Sequence, residues 1–517
     1  MSKQSFLKGA FILIIAGLIT RVLGFINRIV VARIMGAEGV GLYMMAVPTL
    51  LLIITLTQLG LPVAISKLVA EADADQDRAK IKKILVVSLS VTGALSIVFT
   101  IIMILVAPLI ASTFLTDSRA FYPLIAISPI VPIVALSSVL RGYFQGLQNM
   151  KPTAYSQVIE QIVRITLVAA LTTAFLPLGL EYAAAGAMIS VVIGELASLI
   201  FMMMMFKYKK RFRVRKQFFA YAKEGKRTFQ DLMAIALPTT GSRLIGSVSY
   251  FFEPIVVAQS LAIAGVATTI ATAQYGELSG YVIPMLLLPT FITYSLSVSL
   301  VPAISEAAHQ KNYGLIHHRL AQALRLALVS GGAAVVVLYV FAEPVMELVY
   351  DAPTVATYLK IMAPFSLFLY FQSPLQAALQ ALGLAKAAMI NSFIGAFVKI
   401  AAIFVLASRP ELGIMGAALA IVIGFLLVTL LHFATLVKSI SFTLHMREII
   451  KVLIAMVVSG YASSWMFTTV LAGQTLLAKT GISIIIAGVV YVILISVFGL
   501  IKREEANKIP GIGKWFR

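Results

Sequence analysis

Arginines set inside long apolar runs are the side chains of this chain best suited to chemistry. Arg21, Arg28, Arg164 and Arg243, with Lys360 and Lys399, lie in such runs, and Glu160, Glu195, Glu253 and Glu277 are the acids in the same setting. A planar guanidinium donates paired hydrogen bonds to phosphate oxygens, so several arginines converging on one wet cavity suit a phosphate or pyrophosphate. Arg21 and Arg28 stand two helical turns apart on much the same face. Arg21 and Arg243 are the leading candidates to grip such an anion, with Glu253 and Glu277 as structural partners for them. A charge at the bilayer centre costs about 2.5–3.5 kcal/mol, so none of these groups is expected to face lipid.

Glu160 and Arg164 are spaced i,i+4, which predicts an intrahelical pair and makes Arg164, Glu160 and Lys399 second-tier, structural groups. For Glu195 two readings stand open, a pair with Arg164 or the carriage of a coupling ion. Lys360, in the outer part of its span, is read as snorkelling to the interface. Other chemistry is thinly represented. The chain has no cysteine, which removes disulfides, thiolate metal sites and cysteine nucleophiles. His309, His317, His318, His432 and His445 show no metal-ligand spacing and are read as loop residues, and there is no phosphate-binding Walker loop. No cofactor and no metal are expected.

The elements that must position these residues follow from composition. Of 517 residues 60% are hydrophobic and 12% charged, against about 25% charged in soluble domains. A water-soluble enzyme is excluded. Runs long enough to cross a hydrocarbon core of roughly 30 Å recur along the whole chain. They predict an all-α integral membrane protein with spans near 6–32, 42–66, 84–115, 120–140, 153–178, 182–206, 231–260, 274–304, 321–342, 354–382, 387–408, 413–437, 449–471 and 480–501, fourteen transmembrane helices. With the N-terminus in the cytoplasm, only Arg33, Arg119, Arg409 and Lys479 of the 41 Lys and Arg fall on outer loops. That asymmetry puts both termini in the cytoplasm and accounts for the net charge of +20 without nucleic acid. The run from Lys207 to Lys216 is read as a topology-fixing loop, and Met202 to Met205 as lipid-facing bulk.

An internal repeat organises the spans. Residues 140–165 lie without a gap over 375–400, matching Leu140 with Leu375, Gln145 with Gln380, Lys151 with Lys386 and Arg164 with Lys399. Gly186 and its followers match the segment from Gly416. Arg21-Val-Leu-Gly24 parallels Arg243-Leu-Ile-Gly246, and Pro62 to Ser66 parallels Pro302 to Ser305. Six helices per half is an even number, so the two halves run the same way through the membrane. The reading is an N-lobe over 1–206 (helices one to six), a basic cytoplasmic linker over 207–230, a C-lobe over 231–438 (helices seven to twelve), and helices thirteen and fourteen with a cytoplasmic tail over 439–517. Two parallel repeats around a site that opens alternately to each side is a transporter plan. Proline-dense spans (Pro123, Pro129 and Pro132; Pro284, Pro289 and Pro302; Pro353, Pro364 and Pro374) supply places to bend.

Particular blocks carry a resemblance: Ile19 to Met45 (ITRVLGFINRIVVARIMGAEGVGLYMM), Thr57 to Ala72 (TQLGLPVAISKLVAEA), Ser137 to Pro152 (SSVLRGYFQGLQNMKP) and Leu237 to Ala267. The chain resembles, over nearly its whole length, the sporulation members of the polysaccharide-transporter branch of the multidrug/oligosaccharidyl-lipid/polysaccharide exporter superfamily, relatives of the lipid II flippases. The resemblance implies a MATE-like exporter fold and a flippase for an undecaprenyl-pyrophosphate-linked peptidoglycan precursor, acting in spore cortex synthesis. It also implies residence in the bacterial cytoplasmic membrane, a lipid-linked sugar pyrophosphate and membrane lipids as partners, and cortex peptidoglycan polymerases as further partners. In those flippases cavity arginines come from helices one, two and eight. Arg21 matches the first, Asn27-Arg28 stands where the flippases have Arg-Asp, and the other two positions fall at Leu52 and Glu277. Asn27 thereby joins Glu253, Glu277 and Glu195 as cavity or ion-coupling candidates, and Arg28 and Arg243 join Arg21 on the pyrophosphate. The rival readings are an ion-coupled exporter of drugs or metabolites, a non-transporting partner of the cortex machinery, and a membrane glycosyltransferase, which the short outer loops disfavour.

Overall fold

Lipid offers the backbone no hydrogen-bond partner, so a spanning segment must close its bonds within itself, and the helix does so locally. The computed structural model describes residues 6–209, 225–444 and 446–500, and every regular element among them is helical. The stretch 210–224 of the basic linker, His445 and the tail from 501 onward lie outside the described residues.

Among the described residues, twelve helical stretches are long and apolar enough to cross a membrane, or thirteen when the pair Pro353–Met362 and Ser366–Ala381 counts as one span bent by 52°. The first two of the fourteen expected spans share a single stretch, Ile15–Ala74. Within it, α1 (Phe6–Gln58) turns at Gly36, whose φ of 67° and ψ of −176° are open to a residue without Cβ.

Contacts divide the chain into two units, Met1–Gly280 with Ile403–Ile414, and Tyr281–Ala402 with Met415–Arg517. The first contains α1, α2 (Leu61–Ala74), α3 (Arg78–Leu109), α4 (Phe121–Ile127), α5 (Ile130–Gly146), α6 (Lys151–Phe175), α7 (Leu180–Lys209), α8 (Lys226–Ile263) and α9 (Thr268–Gly276). The second contains α10 (Ile283–Leu287), α11 (Thr290–His309), α12 (Tyr313–Val340), α13 (Ala342–Tyr350), α14 (Ala356–Met362), α15 (Ser366–Ala381), most of α16 (Ala385–Ala407) and α17 (Ile414–Ile440), α18 (Met446–Trp465) and α19 (Leu476–Val497). The helix that opens the second repeat, α8, thus packs in the first unit, against α1 and α2. Two contacts hold this arrangement. The Thr55 and Ser247 hydroxyls meet at 2.8 Å. Backbones of α1 and α9 touch where a Cβ on Gly41 would lie 2.0 Å from the Thr272 carbonyl oxygen and one on Gly276 2.0 Å from that of Ala37, the close approach that small residues permit between membrane helices.

The repeat is written into helix boundaries as well as sequence. A constant shift of 235 residues carries the 3-10 turn Ser118–Ala120 onto Pro353–Val355 and α4 onto α14. Pro129 and Pro364 fall at the break that follows each, where the missing N–H interrupts the helix. In the first unit Ile65 of α2 and Phe144 of α5 share a core with Ile84 and Leu85 of α3. In the second, Ile304 of α11 and Leu379 of α15 share one with Leu320 of α12. The methionine run is split by helical periodicity rather than uniformly lipid-facing. Met202 is fully buried beside Leu140 and Leu199, while Met203 and Met204 are exposed.

Candidate functional site

Five of the intramembrane groups picked from sequence sit on two helices of the first unit. Arg21, Asn27 and Arg28 are on α1; Arg243 and Glu253 are on α8, which packs against it. A period of 3.6 puts Arg243, Tyr250 and Glu253 on one face of α8, as it does Arg21 and Arg28 on α1. Arg21 and Arg243 are exposed and Arg28 is half-buried. Arg28 and Glu253 both act electrostatically on Tyr250, as does Tyr43, and Glu253 and Tyr250 act on Tyr275. Asn27 is 6% exposed, and its Oδ1 has no hydrogen-bond partner among the described residues. Glu277 begins the π-helical turn Glu277–Val282 after α9, half-buried, and makes no ion pair among the described residues. Arg243 likewise makes none there.

A second group of charges is closed on itself. Arg141 Nη2 donates to Glu195 Oε1 at 2.8 Å and lies 3.7 Å from Glu160 Oε2, and Arg164 Nη2 donates to Glu160 Oε1 at 2.5 Å. Glu195, 4% exposed, therefore has Arg141 of α5 as its ion-pair partner, not Arg164 of its neighbour helix. Helices α6 and α7 approach closely beneath this cluster, because a Cβ on Gly194 would lie 2.9 Å from the Glu160 carbonyl oxygen and 3.3 Å from Arg164 Cβ. Two arginines against two carboxylates leave no net charge, the arrangement a buried ionic group requires.

A third cluster joins Glu38, Asp117, Arg119 and Thr272. The Arg119 guanidinium donates to Glu38 at 2.6 Å and to Asp117 at 2.9 Å, and the Thr272 hydroxyl donates to Asp117 at 2.8 Å. Burial alone would raise Asp117; hydrogen bonds from the Arg119 side chain, from Thr272 and from the Arg119 backbone outweigh it and hold the carboxyl below its ordinary value. The sequence reading missed Arg141, which stands at the end of an apolar run and counts there as a loop charge. It also missed this third cluster, whose Glu38, Asp117 and Thr272 lie far apart in the chain.

In the second unit Lys360 lies 3.9 Å from Glu343, both well exposed, a geometry worth little. Lys399 is half-buried, and a Cβ on Gly424 would meet its side chain at 3.3 Å. His432 corrects the loop reading of the histidines. It is 1% exposed within α17, its Nδ1 3.3 Å from Asn391 Nδ2, which also donates to the Leu431 carbonyl oxygen at 3.1 Å.

Among the described residues, helices of membrane-spanning length in tandem halves, with ionic clusters buried between them, define an integral membrane protein. Comparison with known proteins agrees. The family described as polysaccharide biosynthesis protein matches residues 6–308, and the MatE family matches 254–405. The chain is 58% identical to "Stage V sporulation protein B" of Bacillus subtilis (strain 168), over 99% of each chain. It belongs to the polysaccharide biosynthesis protein family. Its fold is shared with "Lipid II flippase MurJ, inward closed conformation" at a TM-score of 0.72 and 18% identity, covering 94% of this chain and 98% of that one. An inward-facing multidrug resistance MATE family transporter gives a TM-score of 0.66 at 18% identity, over 82% and 94%.

Proposed function

We propose that this protein is a flippase that carries an undecaprenyl-pyrophosphate-linked peptidoglycan precursor from the inner to the outer leaflet, by alternating access and without ATP, for spore cortex synthesis. The termini face the cytoplasm in this reading, as the Lys and Arg asymmetry supports. Arg21, Arg28 and Arg243 hold the pyrophosphate; Glu253 and Glu277 exchange with the substrate as partners for these cations. The carrying observation is the pairing of α1 with α8. Arg28 acts electrostatically on Tyr250 of α8, and two turns back along both helices stand Arg21 and Arg243. The two helices share a repeat position and run the same way, so an equal step of about 10 Å brings the two arginines to one level. Buried Glu253 and Asn27 give the site polar atoms that change partners as substrate enters and leaves.

The similarity to a sporulation protein supports the cortex role, and the fold shared with a lipid II flippase supports the substrate class. Purified protein in nanodiscs, titrated with undecaprenyl pyrophosphate and undecaprenyl monophosphate, tests the site. The wild type should prefer the pyrophosphate, and Arg21→Ala and Arg243→Ala should each weaken that binding by roughly tenfold, the value of one charge-assisted hydrogen bond. Equal binding of the two lipids, untouched by either substitution, would remove the site assignment.

A further inference from the structure

The two helices that carry the proposed anion site, α1 and α8, run on into a polar seam at one end of the first unit. Helix α3 ends there in a π-helical turn, Ile110–Phe114, and the Gln259 side-chain amide of α8 donates to the Thr113 and Phe114 carbonyl oxygens at 2.7 and 3.2 Å. The Thr272 hydroxyl of α9 donates to Asp117 at 2.8 Å, and both residues are buried. Gln259 stands six residues past Glu253, about 9 Å further along α8. Beside these bonds α1 and α9 meet through Gly41 and Gly276, and a Cβ on Gly280 would lie 2.2 Å from Val40 Cγ1.

The charges and the neutral groups fall on different sides of this seam. Helices α1 and α3 and the turn Ser118–Ala120 belong to the first repeat, α8 and α9 to the second. Both ion pairs of the cluster, Arg119 with Glu38 and Arg119 with Asp117, lie within the first repeat. What crosses to the second repeat is one hydroxyl, one amide and a glycine-lined backbone contact. Parting the two sides therefore takes no charge from its partner, because Asp117 keeps Arg119. The Arg119 and Glu38 side chains are 29% and 30% exposed, which gives water a path to the acceptors that Thr272 and Gln259 leave. The Arg141–Glu160–Glu195 cluster has the opposite character, since separating its helices would strand a buried charge. Neutral donors and small residues close a seam firmly enough to be populated and loosely enough to open. We propose that it is a releasable latch, shutting the outer end of the α1–α8 face while substrate is loaded and parting to let it go. The direction of release rests on the transport reading and its orientation, whereas the parting of the seam does not.

The chain has no cysteine, so introduced thiols report alone. Full-length protein in nanodiscs, spin-labelled at Ser118→Cys and Thr269→Cys, both exposed positions, gives the distance across the seam by double electron–electron resonance. A short distance should dominate in the wild-type background. Thr272→Val, which removes the hydroxyl and keeps the shape, should raise the ratio of long to short distances about tenfold, and Gln259→Leu about threefold. A second measurement locks the latch. Asp117→Cys with Thr272→Cys, joined by oxidation, should lower outer-leaflet exposure of the lipid-linked precursor more than tenfold, with recovery in reductant and with undecaprenyl-pyrophosphate binding retained. One short distance unchanged in both Thr272→Val and Gln259→Leu, or full transport by the oxidised pair, would overturn the latch. Wild-type protein that moves no precursor would remove the transport reading instead, and the distances would still decide whether the seam parts.

Discussion

The two repeated halves build the same helices around different chemistry. At the shift that relates them, Asp117 and Arg119 of the first half face Ala352 and Thr354 of the second, and Arg141 and Glu160 face Gln376 and Gly395. Glu195 is matched by Phe425, and only the cation at 164 is kept, as Lys399. The backbone fit survives this loss. Gly194 lets α7 approach Arg164, and Gly424 lets α17 approach Lys399 in the same way. Helix pairing is thus carried by small residues and helix breaks that both halves retain, and the ionic clusters are an addition of the first half. The first unit, which joins that half to α8 of the second, is also the one that carries Arg21, Arg28 and Arg243. One formally neutral cluster, of Arg141, Arg164, Glu160 and Glu195, and one with an acid in excess, of Arg119, Asp117 and Glu38, brace the helices of that unit.

The largest expected effect breaks this contrast at its centre. Arg141→Ala leaves Glu195 buried without its ion pair and should destabilise the protein by about 3–5 kcal/mol, whereas Gln376→Ala, at an exposed position, should change stability by no more than about 0.5 kcal/mol. Thermal unfolding of both variants in detergent measures the difference, and equal losses would show that the cluster does no bracing. Next comes the backbone contact. Gly194→Ala pushes a methyl against a carbonyl oxygen and should cost about 1–3 kcal/mol, while Gly424→Ala meets only the flexible Lys399 chain and should cost less.

The smallest effect concerns acid. Asp117 has a carboxyl held below its ordinary value, so the stability it supplies is complete above the unfolded value of about 3.9 and fades as pH falls through the lower folded one. Asp117→Asn should flatten the acid limb of a melting-temperature profile below about pH 4. No matching flattening is expected from Ala352→Asn, its counterpart in the second half.

Much of this architecture is legible in the chain. The apolar runs mark the spans, and the self-match from Leu140 onward marks the repeat, which the helix boundaries extend back to Ser118. The pairing of Glu160 with Arg164 follows from local spacing alone. What spacing does not supply is the partner on another helix. Membrane helices are apolar nearly all round, so their sequences do not declare which face meets which neighbour. Glu195 therefore finds Arg141, Thr272 finds Asp117, and His432 finds Asn391 without any signal in the run of residues. Finding Arg141 requires asking which cation lies at the depth of an orphan acid, a test that needs the helices already placed. The turn at Gly36, which splits one long helix into two spans, is carried by a single residue.

The most direct test of the central claim is transport in living cells. With other flippases depleted, an externally added enzyme that cleaves the lipid-linked disaccharide-pentapeptide reports what has reached the outer leaflet. The account predicts cleavage that depends on this protein and is lost in Arg21→Ala and Arg243→Ala made at normal levels. Precursor that stays protected although the wild-type protein is in the membrane, or full cleavage with both arginine variants, would contradict it.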